Sequence, residues 1–469
     1  MFLKLFSKSI TYFLVVLMAF YSCKKEENFR KVDMNELNPD VPLNTNSALD
    51  QWLKINLLDA YNSEVIYRYS RYDHEYDRNI TPIDEARVQP FMQSVISGFA
   101  DPYVAVAGRT FMKVNMPKQW VLYGSSNYSA TTVYWGSAVG GVRVNIFDLN
   151  SYTISNIDLV KDRLGTIHHE FTHILNQRAL MPVEFAQISK ARYTGTWETI
   201  GVDSAQRVGF MRGYSMQNPT EDFADMVKYP VVWGPSWFDD IVRNKANAEG
   251  AAALRAKEQS VLNYFSSSLK MDFRDIQKRV QMYVKDSLKD PQVTFPFWIN
   301  RGLYKTVTIN LGDPMYATYG NSAVLAKIYN AFKDSVLAAN ATARYRMESL
   351  QLRFESPTSL VIRMPFTATG GTQAGTTFNA DFSFSVAVNS NTGVTTFTKV
   401  TQGTTTTFNN ASSFLSSFGN TIQAYLTSGS FVADWIPLQT PPAMYTKTGG
   451  FTKTGEPTNY FYGTLGQTL

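Results

Sequence analysis

Cysteine is almost absent: the chain of 469 residues has one, Cys23, so disulfides play no part in its stability. Histidine is scarce as well. There are four, and three of them fall between residues 168 and 173. A Ser-His-Asp arrangement has no histidine left to use, and no glycine-rich loop of the phosphate-cradling kind is present. Long apolar runs are missing too; the run from Ile10 to Phe20 is too short for a comfortable membrane span. The net charge of +5 is small for this length and forms no basic stripe, which leaves nucleic-acid binding without support. What remains, 44% hydrophobic and 18% charged residues, describes an ordinary folded protein long enough for two or three domains.

Residues 1–22 read as an export leader. Lys4 and Lys8 precede the Ile10–Phe20 run, and Ser22 offers a small residue for cleavage before Cys23. Cys23 stands where a bacterial lipoprotein carries its diacylglyceryl group, which would tether the chain to a membrane surface rather than thread it through. Residues 23–45 are polar and contain Pro39 and Pro42, as a flexible tether does.

The chemistry is concentrated in His168-His169-Glu170-Phe171-Thr172-His173. On a helix, residues four apart share a face, so His169 and His173 can both turn a ring nitrogen towards one Zn2+. Glu170 then sits beside the metal, placed to take a proton from water that the zinc has acidified. The helix is supported by Leu164, Ile167, Phe171, Ile174 and Leu175, an apolar stripe nearly opposite the two histidines.

A hydrolytic zinc site needs three protein ligands, and no histidine remains downstream. The third must come from a carboxylate on that side. Asn218 to Val227 reads as a second helix, with Asn218 or Thr220 as N-cap, an early Pro219, and Pro230 closing it. Its apolar residues Phe223, Met226 and Val227 lie on one side and Glu221 and Asp225 on the other. Glu221 is the candidate third ligand; Asp225, one turn on, is placed to accept the free N–H of a ligating histidine. Asp222 is a weaker substitute because it lies further round the helix.

His-Glu-x-x-His followed some fifty residues later by Glu-x-x-x-Asp resembles the gluzincin metallopeptidases. The resemblance implies a zincin-like α+β domain, Glu221 as the third zinc ligand and Asp225 as support for a histidine. The run His169 to Gln177, with Glu221 to Asp225 downstream, is similar to zinc metallohydrolase lipoproteins of Bacteroidota associated with outer-membrane nutrient import. Lys24-Lys25-Glu26-Glu27 resembles the charged tether of their surface lipoproteins. Tyr214 lies seven residues before Glu221, as does a tyrosine of toxin-like gluzincins that donates to the oxyanion.

Elsewhere, Asn46–Tyr61 and Asp84–Phe99 have helical spacing, Ser63–Tyr69 alternates like a strand, and His74 falls in a charged loop. Trp120–Tyr123, Thr131–Trp135 and Val142–Phe147 read as strands, with Val142–Ile146 the candidate edge for an extended peptide. Val183–Gly213 is expected to shape the pocket wall. Asn244–Leu269 and Asp272–Leu288 read as helices, the second of which would cap the first domain, and Lys289-Asp290-Pro291 reads as a boundary. Beyond it, Phe295–Leu311 is strand-like, Ser322–Ala338 and Ala411–Leu426 helical, and Ser359–Phe366, Asp381–Val388 and Thr395–Val400 strands.

The sequence thus predicts an α+β chain with a metallohydrolase domain at 46–290 and a strand-rich domain at 291–469. It predicts an outer-membrane, surface-exposed lipoprotein holding one Zn2+ per chain and acting on a peptide or protein, in company with an import complex. The alternatives are a non-catalytic substrate-binding lipoprotein of such a complex, or an adhesin or scaffold whose zinc is structural.

Overall fold

The structure, a computed structural model, describes residues 47–70, 73, 80–128, 133–134, 136–139, 142–436 and 444–469. The leader, Cys23, the tether and His74 lie outside the described residues. Trp52–Leu469 forms one compact unit, in which two sheets and the helices between them can be followed in chain order.

The first sheet has the order β1-β2-β6-β5, from Glu64–Ile66 (β1), Gln119–Leu122 (β2), Gly136–Val139 (β5) and Arg143–Ile146 (β6). Strands β1, β2 and β6 run parallel and β5 antiparallel to β6. Asn127–Tyr128 (β3) and Val133–Tyr134 (β4) pair as a separate ribbon. The expectation that Val142–Ile146 is an edge is overturned: β6 is bonded on both sides, and among the described residues the edges of this sheet are β1 and β5. The Val144 and Ile146 side chains are buried, as an interior strand requires.

Helix α1 (Glu85–Val95) is capped by Asp84, whose side chain accepts from the Ala86 N–H. Helix α2 (Ile157–Asn176) is capped by Asn156, and it buries all five apolar stripe residues. Helix α3 (Pro219–Val232) begins with Asn218, which accepts from the N–H groups of Thr220 and Glu221, and it has Pro219 in its first turn. It does not stop at Pro230. Two glutamines of α5 (Phe273–Asp286) hold its last carbonyls: Gln277 Nε2 donates to Pro230 O at 3.0 Å, and Gln281 Nε2 to Val231 O and Val232 O at 2.7 and 2.9 Å. These contacts satisfy carbonyls that the helix end leaves without an intrahelical partner, and the helix runs two residues past the proline. Between them, α4 (Ala248–Asn263) is capped by Asn247.

The second sheet begins at Thr306–Ile309 (β7). The segment before it departs from the strand reading: Phe295–Asn300 is a short helix. Pro296 suits the first turn of a helix, and Phe295, Trp298 and Ile299 bury at helical spacing. After α6 (Ala323–Ala338) follow Tyr345–Met347 (β8), Leu350–Phe354 (β9), Ser359–Ala368 (β10), Thr377–Val388 (β11), Val394–Lys399 (β12), Phe431–Asp434 (β13), Thr448–Lys453 (β14) and Tyr460–Gly466 (β15). Their order is β11-β12-β13-β14-β15-β7-β9-β10-β8, and β10 also pairs with β11. That extra pairing closes eight antiparallel strands on themselves, which removes their open edges. The stretch Ala411–Leu426 is helical throughout, as expected, with its winding changing along the way. Phe418 of this stretch stacks on Phe382 of β11 at 3.7 Å, so core packing rather than helix propensity holds it.

Among the described residues, no helix is long and apolar enough to cross a membrane. The chain is α+β, helical around α2 and α3 and strand-rich towards its C-terminus.

Candidate metal centre

Helices α2 and α3 pack face to face, and four of the residues singled out in the sequence meet between them. His169 Nε2 lies 2.9 Å from Glu221 Oε2, His173 Nε2 lies 3.1 Å from His169 Nε2, and His173 Nε2 is 3.4 Å from Glu221 Oε2. Asp225 Oδ1 is 3.0 Å from His169 Nδ1. Asp222 is not part of this group; it faces the other way, buried against Lys257 Nζ at 2.7 Å and accepting from Tyr193 OH at 2.9 Å.

Asp225 fixes which nitrogen of His169 is free. Its carboxylate is fully buried and already accepts from Arg212 Nε at 2.8 Å, Arg212 Nη2 at 3.1 Å and Ser215 Oγ at 2.7 Å. Burial alone would raise its pKa, but the Arg212 charge and the His169 hydrogen bond hold it well below the usual carboxylate range. An ionised carboxylate only accepts, so His169 Nδ1–H donates to it and Nε2 is the ring nitrogen left for a metal, facing Glu221. Glu221 is fixed as well. It sits in the first turn of α3, where its backbone N–H is capped by Asn218 and the helix N-terminus favours a negative charge. Burial would raise its pKa, and the two histidines bring it well below the usual range.

Three electron-pair donors therefore converge on one point. Tetrahedral zinc with bonds of about 2.0–2.1 Å would hold its ligands about 3.3 Å apart, and the observed separations of 2.9, 3.1 and 3.4 Å bracket that value. Among the described residues, His169, His173 and Glu221 are the one group of three able to hold a metal ion. Two nitrogens and a carboxylate oxygen fit zinc.

Around this point stand the remaining residues. Glu170 is half-buried, next in the chain to His169, and its charge acts on both His169 and Tyr214. Tyr214 lies in a single turn, Gly213–Met216, with its ring 6.1 Å from that of His169 and edge-on to Trp197 at 5.0 Å. Its pKa is raised, first by burial and then by Glu221. The phenol therefore keeps its proton at neutral pH.

His168 is not part of the centre. It is fully buried on the opposite side of α2, with Nε2 3.3 Å from Gly98 O, Nδ1 3.5 Å from Tyr103 OH and its ring edge-on to Phe99 at 5.4 Å. Burial drives its pKa down to about 4. A histidine held neutral contributes full stability above its unfolded pKa of about 6.5 and loses it as pH falls towards the folded value. The loss comes to about 3 kcal/mol between pH 6.5 and 4. In zinc-free protein, His168→Leu is expected to flatten the dependence of the urea midpoint on pH across that window. An unchanged pH slope would show that His168 protonates freely in the folded chain.

Sequence reasoning missed Arg212, Ser215 and two glycines. Gly165 lies one turn before His169 on the face towards α3, where a Cβ would meet Lys228 Cε at 2.8 Å and Trp233 at 3.0 Å. The lack of a side chain there lets the two helices close. A Cβ at Gly213 would run into the carbonyl oxygens of Ile200 and Trp197, so only glycine lets the Tyr214 turn lie against that loop. Gly165 had a legible signal, being a glycine four residues before a ligand. Arg212 had none, since thirteen residues of loop and helix separate it from Asp225.

Residues 43–274 match a family described as putative zinc-binding metallo-peptidases. A solved structure from Bacteroides caccae, itself named a putative zinc-binding metallo-peptidase, is similar at 25% identity with a TM-score of 0.46, over 53% of this chain and 95% of its own. No curated protein matches. The family match agrees with the resemblance drawn from the histidine motif, and it covers α2, α3 and every residue of the centre.

Proposed function

We propose that this chain is a zinc-dependent peptidase with one Zn2+ held by His169, His173 and Glu221. The observation that carries the reading is the convergence of those three donors beside Glu170, a carboxylate that a closed structural site has no need of. Zinc bound there would supply Lewis acidity, acidifying water and polarising the scissile carbonyl.

The chain's own residues do the rest. Glu170 takes the proton from the attacking water and passes it to the leaving amine. Asp225 holds the His169 ring in its tautomer and orientation. Tyr214, protonated at neutral pH, donates to the oxyanion as the carbonyl carbon becomes tetrahedral. The edge strand β5 packs beside α2 and offers main-chain groups to an extended peptide.

The same reading extends to the parts that carry no chemistry. The metallohydrolase part is assigned to 46–290 and the strand-rich part to 291–469. Cys23 is the lipidation site of an outer-membrane, surface-exposed lipoprotein that works alongside a nutrient-import complex; the sequence pattern at 1–27 supports this.

Elemental analysis of the purified chain tests the centre. About one zinc per chain is expected, with His173→Ala and Glu221→Ala each losing it on dialysis against a mild chelator. Zinc content indifferent to both substitutions would remove the site.

A further inference from the structure

Arg212 contacts both Asp225 and Tyr214. Through Nε and Nη2 it grips the two oxygens of Asp225 at 2.8 and 3.1 Å, a fork against a fork. Its Cζ lies 4.7 Å from the centre of the Tyr214 ring. Its backbone is pinned by Ser215, whose Oγ accepts from the Arg212 N–H at 3.3 Å and donates to Asp225 at 2.7 Å. The guanidinium carbon also stands 6.0 Å from the centre of the Tyr229 ring.

From this geometry we propose that Arg212 is a positioning residue that couples zinc retention to oxyanion stabilisation. It aims Asp225 at His169, and with the same plane it sets the Tyr214 phenol beside the metal. The inference rests on the peptidase reading and adds to it a residue that touches neither metal nor substrate. It also gives a reason for an arginine rather than a lysine. A flat, five-donor guanidinium can fork to a carboxylate and present a face to a ring at once, whereas an ammonium is a point charge that can serve the carboxylate alone.

The test compares Arg212→Gln and Arg212→Lys with the parent in the full chain, with circular dichroism to show that each is folded. The zinc dissociation constant, by competition with a chromophoric chelator, is read apart from activity. Arg212→Gln is expected to weaken zinc binding roughly 10- to 100-fold, the usual cost of losing support behind a ligand. Arg212→Lys is expected to recover zinc affinity to within a few-fold. At saturating zinc its kcat on a fluorogenic peptide should still fall about tenfold or more, with KM little changed, because an oxyanion donor acts in the transition state. The visible spectrum of the cobalt-substituted protein should shift in Arg212→Gln and return in Arg212→Lys.

Arg212→Gln that binds zinc as tightly as the parent and merely melts earlier would overturn the proposal, as would Arg212→Lys with full kcat. Should Arg212→Gln not fold, Arg212→Lys decides the question by itself. Failure of the peptidase reading looks different: the parent then holds no zinc, or loses none when His173 is replaced.

Discussion

Glu170→Gln, purified with its zinc in place, is expected to lose roughly 10²- to 10⁴-fold in kcat/KM for peptide cleavage, the span usual for a general base. The amide has nearly the same shape as the carboxylate and cannot accept the proton that water must give up. Glu170 is half-buried on α2, and the amide fits the same space. Zinc content should stay at the parent's level, because the donors are on His169, His173 and Glu221. The measurement is a progress curve on fluorogenic peptides beside elemental analysis of the same samples. Cleavage as fast as the parent's would sink Glu170 as the base. A parent that holds zinc yet cleaves nothing would bring forward the reading of a binding protein with a silent centre.

The largest effect on stability is expected away from the chemistry, at Lys161 and Asp290. Lys161 is on α2, two turns before His169, and its ammonium lies 2.6 Å from the Asp290 carboxylate. The two side chains are 1% and 3% exposed, so this pair is taken out of water almost completely. Asp290 Oδ1 also accepts from the Gln292 N–H, which fixes the start of the next turn. Asp290→Asn keeps that cap and nearly the same shape but leaves the lysine charge buried without its counter-ion. Breaking a buried pair in this way costs about 3–5 kcal/mol. Replacing both partners, Lys161→Met with Asp290→Asn, should recover most of that loss, since no charge is then stranded. Guanidinium midpoints of the parent, the two single variants and the double variant close the cycle. A single Asp290→Asn variant within about 1 kcal/mol of the parent, the range of a surface pair, would mean that water reaches the pair in solution.

The metal chemistry was written locally, which is why the sequence could be read for it. Two histidines four apart are brought to one face by the helix period alone, and Glu221 and Asp225 repeat that spacing on the second helix. The caps and the apolar stripe are likewise short-range, so α2 and α3 were legible before any packing was known. The stop at Pro230 and the strand over Phe295–Leu311 were less reliable because tertiary partners overrode them. Gln277 and Gln281 carried α3 past Pro230, and burial of Phe295, Trp298 and Ile299 made a helix where a strand was expected.

Strand order lies further from the sequence. Val142–Ile146 is a candidate peptide-binding edge by its place before the histidine helix, its buried Val144 and Ile146 suit an interior strand, and only the pairing to β2 and β5 on either side tells the two apart. The closure of the C-terminal strands by β10 and β11 is of the same kind, since it depends on which strand meets the last one rather than on any strand's own composition.

The sequence by itself determined the helices and the placing of the proposed donors and proposed base on them, because each rests on spacings of three to five residues. The tertiary structure alone decided that His168 turns into the core, that Asp222 is spent on Lys257, and that Arg212 reaches Asp225 and Tyr214 together. Those outcomes depend on which distant segments come into contact, and no local periodicity encodes that.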